Sequence, residues 1–454
     1  MLNNSQNIQA LLKGPKFPDH EFIHSGATFG EVYAMAAGLR ADLSGPEYQG
    51  ASVCLATDNR AAMAAGLLAS LAGGPALLLP YALSAQALAR MQQLTGFTTA
   101  IGDVAAIAAN LPATTTVISP QPGRMADLAS PTRLEPEPEL LKIFTGGTTD
   151  APQLWSKTGE NMFGEGFFLA RRFGVTEKDR IVATVAPYHI YGLLFSVILP
   201  LVSSASVVMD TPSFPGEIAK TIADHQATIL ASIPPHYRAM RAKKIEAASL
   251  RLAFSSAGML EAEDNEAFSR LNNVGIVEVY GSTETGGIAT RNRHAGETSF
   301  TAFPDVSWRI TEQRLCVRSP YLSPELPVAE DGFFTTGDRV EAEGAHAFAL
   351  KGRADGVTKV GGKRVDLEEV RARIKKAPAV SDCVVLSLPE PGSRAQRIVA
   401  LIQGVEVDTE LVRETLAESL EPYALPRLFK TVTQIPVTES GKYDRDAIIR
   451  LFAP

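Results

Sequence analysis

The segment at residues 144–150, Phe-Thr-Gly-Gly-Thr-Thr-Asp, combines two glycines with three threonines. Its backbone N–H groups and hydroxyl groups could together surround a phosphate. No Gly-Lys-Ser/Thr follows at the spacing of a P-loop, so a Walker motif is excluded. Taken alone, the segment also fits an ordinary Gly/Thr turn. The candidate phosphate ligands are Thr145, Gly146, Gly147, Thr148 and Thr149.

A second polar segment, residues 280–287, reads Tyr-Gly-Ser-Thr-Glu-Thr-Gly-Gly and follows a predicted strand. The hydroxyl group of Thr283 could donate to a phosphate oxygen, and the carboxylate of Glu284 could hold a Mg²⁺ ion that bridges phosphates. A polar turn closed by glycines is the alternative. Tyr280, Gly281 and Ser282 complete this candidate nucleotide-binding segment.

Charged residues farther along the chain add three weaker signals. Asp338 ends the tripeptide Thr-Gly-Asp, and a carboxylate after a tight turn can accept both hydroxyl groups of a ribose. Lys442 lies on a glycine-containing loop, from which a compact cation could reach across a cleft. Arg353 and Asp355 lie in a polar stretch where rotation between two domains would be localised. Each signal alone also fits an ordinary turn or a solvated loop.

These residues need a scaffold that positions them, and the chain predicts one. Near the N-terminus, Thr28 and Glu31 match a capping box that opens a helix. Strand and helix then alternate, with a strand at residues 51–56, a helix at 61–72 and a strand at 77–79. In the middle, the predicted strands are residues 181–186, 206–209, 228–232, 250–255 and 276–280. This alternation is typical of a wound α/β sheet, where ligands bind beyond the carboxyl ends of the strands. We therefore expect the loops after Ser255 and Tyr280 and the segment around Pro187 to border one crevice.

The character of the sequence changes near residues 351–355. Beyond this point, strand patterns at residues 383–388 and 397–403 and helical patterns at residues 367–374 and 409–419 predict a compact α+β unit. A chain of 454 residues is also too long for one hydrophobic core. We predict a large N-terminal domain of wound α/β sheets, residues 1–352, and a smaller mobile α+β domain, residues 353–454, with a hinge near Asp355.

Composition excludes several classes of protein. A net charge of −7 and the lack of a basic run argue against nucleic-acid binding. The three cysteines match no metal-binding spacing and indicate buried residues in a reducing compartment. Residues 181–209 contain no Asp, Glu, Lys or Arg, but two prolines and His189 favour a buried strand, helix and strand over a membrane span. We expect a cytoplasmic protein.

Taken together and in this order, the five polar segments resemble the adenylate-forming superfamily of acyl-CoA synthetases, aryl-CoA ligases and peptide-synthetase adenylation domains. The resemblance runs from about Thr28 to Lys442. It implies that residues 145–149 bind phosphate, that Thr283 contacts phosphate and that Glu284 binds Mg²⁺. It also implies that Asp338 and Arg353 bind the ribose and that Asp355 is the hinge aspartate. Lys442 would be the lysine that bridges the substrate carboxylate and ATP.

Other segments resemble the substrate sites of this superfamily. Residues 187–192, Pro-Tyr-His-Ile-Tyr-Gly, are similar to the aromatic segment of aryl-CoA ligases, in which the position of His189 lines and gates the acid pocket. A structural histidine is the alternative. Ser256, Ala257 and Gly258 resemble the adenine-side segment, and Gly361 and Gly362 would line a narrow path for the thiol. The strand-end argument alone adds four expected pocket residues: Ser232, His236, Tyr237 and Val279.

The resemblance implies two half-reactions. First, a carboxylate attacks the α-phosphate of ATP, pyrophosphate leaves, and Mg²⁺ and Lys442 offset the repulsion between the two anions. Second, the small domain swings about its hinge, and the phosphopantetheine thiol of CoA or of a carrier protein takes the acyl group from AMP. The sequence leaves the choice between these thiols open. The His189 segment favours aryl or aryl-acrylic acids, with medium-chain acids also considered.

Two departures from the family pattern oppose ATP binding. Asp150 stands in place of a glycine, and Gln153 stands in place of a lysine. Lys157, a few residues on, is a candidate for the missing charge. A non-catalytic nucleotide-binding relative is therefore one alternative function. The residue types at Glu284, Asp338, Arg353 and Lys442 argue against it, because each suits its proposed chemical role.

A zinc peptidase is the second alternative, because His20, Glu21 and His24 match the His-Glu-x-x-His pattern. That chemistry needs both histidines on one face of a helix. Prolines precede the segment, and its Phe-Ile pair favours an extended conformation. We therefore interpret the match as a coincidence.

Overall fold

The chain divides into two compact units in a computed structural model, which describes residues 4–102, 108–121, 128, 139–145, 153–353, 356–360, 363–390, 396–417, 420, 422–438 and 441–452. Unit 1 comprises Met1–Ser307 and Arg318–Pro327, and unit 2 comprises Trp308–Val317 and Val328–Pro454. Unit 2 includes all of the predicted small domain, residues 353–454, and the boundary predicted before Arg353 stays a prediction. The hinge proposed at Asp355 lies outside the described residues and stays a prediction.

The first sheet of unit 1 is mainly parallel. Its strands are β1 Ser52–Leu55, β2 Ala76–Leu79, β3 Thr99–Ile101, β4 Thr116–Ile118, β5 Glu139–Thr145 and β6 Gln153–Thr158. They lie in the order β4-β3-β1-β2-β5-β6, and only β6 is antiparallel to its neighbour. Thr145 pairs with Gln153, so residues 146–152 connect the two strands of a hairpin.

A second set of strands in unit 1 continues the α/β pattern. The strands are β7 Arg180–Ala183, β8 Ser206–Val207, β9 Ile229–Ser232, β10 Leu252–Ser255, β11 Ile276–Ser282, β12 Gly286–Asn292 and β13 Phe300–Ala302. They lie in the order β8-β7-β9-β10-β11-β12-β13. The strands from β8 to β11 are parallel, whereas β12 and β13 are antiparallel to their neighbours. Parallel neighbours bring the carboxyl ends of β7, β9, β10 and β11 to one edge.

Helices connect these strands. They are α1 Asn4–Leu12, α2 Phe29–Asp42, α3 Arg60–Leu71, α4 Ala85–Thr95, α5 Gly159–Phe173, α6 Ile190–Leu193, α7 Leu199–Ser203, α8 Pro215–Asp224, α9 Pro234–Ala239 and α10 Ala262–Asn272. Thr28 and Glu31 form the predicted capping box of α2, with N–H···O distances of 3.2 and 2.8 Å. A π-helical turn, Leu194–Ile198, joins α6 to α7.

Unit 2 contains the remaining strands and helices. Its strands are β14 Ser307–Thr311, β15 Arg314–Arg318, β16 Phe334–Ala342, β17 Ala347–Arg353, β18 Val357–Val360, β19 Lys363–Asp366, β20 Val380–Pro389, β21 Gln396–Gly404 and β22 Leu428–Val432. Its helices are α11 Leu367–Ile374, α12 Thr409–Ala417 and α13 Arg445–Leu451. The strands form the sheets β14-β15-β16-β17, β18-β19 and β20-β21-β22. Apolar residues of α11 and α12 pack on the last of these sheets.

The predicted wound α/β architecture with a smaller α+β unit is confirmed. The run without charged residues at 181–209 forms β7, the α6–α7 helical segment and β8, as predicted. Helix α11 has the predicted bounds, and the bounds of β9 and β10 differ from the predicted ones only at their first residues. Within the described part of the chain, no helix is long and apolar enough to cross a membrane.

A buried carboxylate, Asp179, ties together the amino ends of three parallel strands. It accepts two hydrogen bonds from the guanidinium of Arg251, at 2.8 and 2.7 Å, and one from the hydroxyl of Thr228, at 2.7 Å. These residues immediately precede β10, β9 and β7. Burial acts to raise the pKa of Asp179, but the hydrogen bonds outweigh burial and lower it.

The first prediction concerns this carboxylate. Because the pKa of Asp179 is lower in the folded state than in the unfolded state, its contribution to stability is present above the unfolded pKa and is lost as the pH falls through the folded pKa. We expect Asp179→Asn to reduce the free energy of unfolding by about 2–3 kcal/mol at neutral pH. The deficit should shrink in acid, as measured by urea denaturation at several pH values.

The matched control is Asp224→Asn, which removes a surface pair with Lys220. Its effect should stay below about 0.5 kcal/mol, because exposed pairs contribute little. An Asp179→Asn deficit that did not change with pH would contradict the electrostatic explanation.

Candidate active site

The carboxyl ends of the parallel strands in unit 1 carry most of the residues singled out from sequence. The loop after β10 contains Ser256, and the hydroxyl of Ser256 donates to the carbonyl oxygen of Val279 in β11 at 2.9 Å. Tyr191 lies beyond β7, and its hydroxyl donates to the carbonyl oxygen of Ser232, the last residue of β9, at 3.1 Å. The structure therefore brings the three predicted loops to one edge of the sheet.

The antiparallel strands β11 and β12 are connected by a tight turn, residues 282–287, which we call the nucleotide turn after the role predicted for it from sequence. Ser282 and Thr285 hold it closed: the N–H of Ser282 donates to Thr285 Oγ1 at 3.1 Å, and the N–H of Thr285 donates to Ser282 Oγ at 3.3 Å. A Cβ atom on Gly281 would lie 2.2 Å from the carbonyl oxygen of Gly286. Only glycine therefore fits where the two strands approach each other.

Thr283 and Glu284 lie at the tip of the nucleotide turn, and both side chains are half-buried. The carbonyl oxygen of Glu284 accepts hydrogen bonds from the N–H of Ser323, at 2.8 Å, and from Lys157 Nζ, at 3.2 Å. The main chain beneath the two side chains is therefore fixed. The neighbouring Tyr280 packs its ring 5.6 Å from that of Phe300.

The predicted adenine-side segment, residues 256–258, forms a sharp bend. Ala257 has a φ of +68°, in the left-handed region that few residues other than glycine adopt. The hydroxyl of Ser256 is committed to the main chain of β11, whereas Gly258 is exposed. This bend leads the chain away from the carboxyl end of β10, next to β11.

The aromatic segment at residues 187–192 begins the helix α6. His189 is the residue before the helix; it is half-buried, and its ring centroid lies 4.9 Å from that of Tyr188. A Cβ atom on Gly192 would lie 2.0 Å from the carbonyl oxygen of Ala186. Gly192 therefore lets the first turn of α6 fold back against the segment that leaves β7.

The four expected pocket residues differ in their hydrogen bonds and in their burial. The Ser232 hydroxyl lies 2.7 Å from Thr184 Oγ1, which in turn lies 2.8 Å from His236 Nδ1. Burial lowers the pKa of His236, so the neutral imidazole is favoured. Val279 is buried in β11.

Tyr237 does not match its expected place in the pocket. Its side chain is fully buried, its hydroxyl donates to the carbonyl oxygen of Phe254 at 2.8 Å, and its ring packs 4.9 Å from that of Phe268. The assignment of Tyr237 to the pocket was therefore wrong, because the strand-end argument does not specify which face of the short helix α9 turns towards the core.

Unit 2 contains the predicted ribose-binding pair. Asp338 of β16 and Arg353 of β17 are register partners, with 3.7 Å between Asp338 Oδ1 and the nearest guanidinium nitrogen of Arg353. A Cβ atom on Gly337 would lie 2.6 Å from that guanidinium, so the glycine provides space for it. The side chain of Arg353 is 59% exposed and that of Asp338 is 23% exposed, so both are accessible to a ligand.

Lys442 is exposed in unit 2, and hydrogen bonds fix the main chain at this residue and at the next one. The N–H of Thr438 donates to the carbonyl oxygen of Lys442 at 2.7 Å. The hydroxyl of the next residue, Tyr443, donates to buried Asp382 at 2.7 Å, and Arg371 donates to the same carboxylate at 3.2 Å. A flexible lysine side chain thus extends from a fixed main chain.

Several predicted site residues lie outside the described part of the chain. They are the phosphate-segment residues Gly146, Gly147, Thr148, Thr149 and Asp150, the hinge residue Asp355 and the thiol-path glycines Gly361 and Gly362. Their proposed roles stay predictions. Thr145 and Gln153 are described as the closing pair of the β5–β6 hairpin.

Sequence reasoning misjudged Lys157. Its side chain is only 1% exposed, and Nζ donates to the carbonyl oxygens of Tyr321, at 2.8 Å, and Glu284, at 3.2 Å. The interpretation that it replaces the lysine missing at Gln153 is therefore corrected: its ammonium group binds protein main chain. Burial lowers the pKa of Lys157, while the carboxylates of Glu165, Glu284 and Glu325 act in the opposite direction.

Sequence reasoning also missed Glu165, a buried residue of α5. Its Oε1 accepts the N–H of Gly287 in the nucleotide turn at 3.1 Å. Burial raises the pKa of Glu165, and the Gly287 N–H and the Lys157 ammonium oppose that rise. A signal was present, because Glu165 is the charged residue in the otherwise apolar run at residues 162–169. An isolated charge on an apolar helix face indicates a buried partner.

The histidine pair of the zinc alternative lies in an extended segment. Glu21 pairs with Thr28 and Ile23 with Val207 in isolated β-bridges, as the Phe-Ile pair indicated. His24 Nδ1 lies 2.8 Å from Glu21 Oε2, and this hydrogen bond lowers the pKa of Glu21. In the residues that the structure covers, no group of three or more His, Cys, Asp or Glu side chains could hold a metal ion.

Comparisons with known proteins agree with the motifs. The family model described as AMP-binding enzyme matches residues 13–332, and the model described as AMP-binding enzyme C-terminal domain matches residues 369–442. The chain is 26% identical to a sulfoacetate–CoA ligase of Cupriavidus necator over 68% of this chain and 67% of the relative. It is 25% identical to an anthranilate–CoA ligase of Pseudomonas aeruginosa over 69% and 67%. The chain thus spans about two thirds of the length of these relatives.

Among solved structures, the fold is similar to that of ATP-bound MatB from Rhodopseudomonas palustris. The TM-score is 0.83 with 20% sequence identity, and the match covers 99% of each chain. This likeness supports the fold, with the large and the small unit both included.

The second prediction tests the packing of the nucleotide turn. Gly286 has a φ of +65°, and a Cβ atom there would lie 2.6 Å from Tyr321 Cβ. Gly286→Ala should therefore reduce the free energy of unfolding by about 1–3 kcal/mol, measured by urea denaturation. The control Gly216→Ala, at a helical position with no atom within 4 Å of the added Cβ, should be neutral or stabilising. Equal stability of the two variants would contradict this packing.

Proposed function

Because the chain belongs to the AMP-binding enzyme family of adenylate-forming ligases, we propose that it activates a carboxylic acid with ATP and transfers the acyl group to a thiol. In the first half-reaction the acid displaces pyrophosphate from the α-phosphate and forms an acyl-adenylate. In the second, the phosphopantetheine thiol of CoA or of a carrier protein attacks the acyl carbon and AMP leaves. The proposed acid is aryl or aryl-acrylic, or of medium chain length.

The geometry of the nucleotide turn is the observation that carries this proposal. Thr283 and Glu284 lie on a turn whose main chain is held by hydrogen bonds from Ser323 and Lys157, at the carboxyl edge of parallel strands. Ligands bind at this edge in wound α/β sheets. A hydroxyl donor and a carboxylate on adjacent residues are suited to a phosphate and to the metal ion that accompanies it.

The donor chemistry at Glu284 fits a magnesium ion. Mg²⁺ prefers oxygen ligands and is usually bound through one or two carboxylates together with substrate phosphates. When bound, it would neutralise negative charge on the phosphates. The half-buried carboxylate of Glu284 would hold it, and Thr283 would donate a hydrogen bond to a phosphate oxygen.

Lys442 would provide the second positive charge for the adenylation step. The attack of a carboxylate on a phosphate brings two anions together, and a cation next to the reacting atoms stabilises the charge that builds up on the oxygens. The anchored loop described above lets an exposed ammonium group be presented from a fixed base. Asp338 would accept hydrogen bonds from the ribose hydroxyls, with Arg353 beside it.

The residues near the ends of β7 and β9 support an acid pocket of mixed polarity. His189 is half-buried and lies beside an aromatic ring, whereas Thr184, Ser232 and His236 form a hydrogen-bonded polar group. The two curated relatives carry the names of different acids, sulfoacetate and anthranilate. The choice of an aryl acid therefore rests on the His189 segment.

An acid-dependent exchange between ATP and radiolabelled pyrophosphate is the experiment that tests the function. We expect exchange with at least one aryl, aryl-acrylic or medium-chain acid, and product formation with CoA or a carrier protein then identifies the thiol. ATP binding without exchange for any acid would favour the non-catalytic relative, which the glutamine at Gln153 would explain.

The third prediction separates the two half-reactions. Lys442→Ala should slow acid-dependent pyrophosphate release by about a hundredfold or more, because the transition-state charge loses its cation. Thiol transfer from a supplied acyl-adenylate should be much less affected. Single-turnover assays of each half-reaction measure both effects.

The control is Lys376→Ala, which removes another exposed lysine of unit 2 and should leave both half-reactions unchanged. If Lys442→Ala slowed the two half-reactions equally, a role of Lys442 in adenylation alone would be excluded.

A further inference from the structure

Two buried charged side chains of unit 1, Lys157 and Glu165, are not used in the chemistry described above. Both bind main-chain atoms of the nucleotide turn, and they do so from different elements, β6 and α5. Burying a charge is costly unless it is paired and hydrogen-bonded. The hydrogen bonds to the turn offset part of that cost for each of the two groups.

Lys157 joins two segments of chain that are distant in sequence. Its ammonium group donates to the carbonyl oxygens of Tyr321 at 2.8 Å and Glu284 at 3.2 Å. The carbonyl of Glu284 also accepts the N–H of Ser323 at 2.8 Å. A neutral side chain of similar length could not donate two charge-assisted hydrogen bonds. The ammonium group thus fixes the carbonyl of the very residue whose carboxylate is proposed to bind the metal ion.

Glu165 holds the other end of the same turn. Its carboxylate accepts the N–H of Gly287 at 3.1 Å, and a Cβ atom on Gly287 would lie 2.6 Å from that carboxylate oxygen. A Cβ atom on Gly286 would lie 3.0 Å from the other carboxylate oxygen. The glycines therefore let the carboxylate lie directly against the main chain.

Lys157 also ties the nucleotide turn to the β5–β6 hairpin. It lies in β6, opposite Leu141 of β5. The β5–β6 hairpin is connected by residues 146–152, which contain the predicted phosphate ligands. The hydrogen bond from Lys157 to Glu284 therefore connects the nucleotide turn to the strand that follows the predicted phosphate segment in the chain.

We propose that Lys157 and Glu165 are positioning residues, which act through the main chain of the nucleotide turn to set the place of Thr283 and Glu284. The ammonium group fixes the turn at Glu284, and the carboxylate fixes it at Gly287. Burial disfavours the charged form of each residue, and the attraction between the two opposite charges offsets part of that effect. The expected change in reaction rate rests on the proposed function. The expected loosening of the turn does not, because hydrogen exchange measures it separately.

The fourth prediction uses Lys157→Met, which keeps the length of the side chain and removes its charge and donors. Misplacement of a site by about 1 Å can cost about a hundredfold in rate. We expect kcat/KM for ATP to fall by about tenfold to a hundredfold and the Mg²⁺ concentration for half-maximal activity to rise, while KM for the acid stays the same. Hydrogen exchange should speed up in peptides that cover residues 282–287 and 321–325.

Two further variants make the test specific. The control Lys142→Met removes the charge of a lysine in the neighbouring strand β5, which pairs with Glu139, and should leave every readout unchanged. Glu165→Gln retains an acceptor for the Gly287 N–H but removes the charge, and should produce a smaller effect of the same kind. The double variant should show less than the product of the single effects, because both residues support one turn.

The measured outcomes distinguish a positioning role of Lys157 from a purely structural one. A lower thermal stability of Lys157→Met with wild-type Mg²⁺ dependence, wild-type kcat/KM for ATP and unchanged exchange of residues 282–287 would overturn the proposal. If Lys157→Met does not fold, Glu165→Gln decides by the same readouts. If the wild-type protein catalyses no acid-dependent exchange, the proposed function fails; faster hydrogen exchange of the turn would still support the positioning role, and unchanged exchange would refute it.

Discussion

The fixed main chain of the turn between β11 and β12 is the constraint on which the candidate site depends. Thr283 and Glu284 are adjacent on this turn, so any displacement moves both side chains together. On one side, Lys157 and Ser323 donate hydrogen bonds to the carbonyl oxygen of Glu284. On the other side, the N–H of Gly287 donates to the carboxylate of Glu165. Buried hydrogen bonds to charged groups are stronger than those between neutral groups, and removing one partner leaves an unsatisfied polar atom. The precision of the turn therefore comes from the interior of unit 1.

Unit 2 uses a similar arrangement on a smaller scale. Lys442 is exposed, but the next residue, Tyr443, donates to the buried carboxylate of Asp382, which Arg371 also binds. In both units the main chain at or next to a candidate functional side chain is fixed by a buried charge. Such an arrangement leaves the side chain accessible to a ligand while the main chain that carries it is held in place. It also places the cost of burying charge away from the residues that would contact a substrate.

The elements of the fold could be predicted because their signals are local. The capping box of α2 requires only Thr28 and Glu31, and α11 could be bounded from its own apolar periodicity. The main-chain contact of Glu165 could not be predicted in this way, since its partner Gly287 is 122 residues away. Tyr237 was misassigned for a related reason: the sequence places it after a strand end, but only packing against Phe268 shows that its ring belongs to the core.

Lys157 shows how a departure from a family pattern can be misread from sequence. A lysine four positions after Gln153 suggests a relocated phosphate ligand, yet its ammonium group is bound to two carbonyl oxygens. Its charge still matters at the turn, because a buried charge is screened by salt and water much less than an exposed one. The positive charge of Lys157 acts on the carboxylate of Glu284. In the proposed site, the charge of Lys157 would therefore act through the main chain that carries Thr283 and Glu284 and not as a direct phosphate ligand.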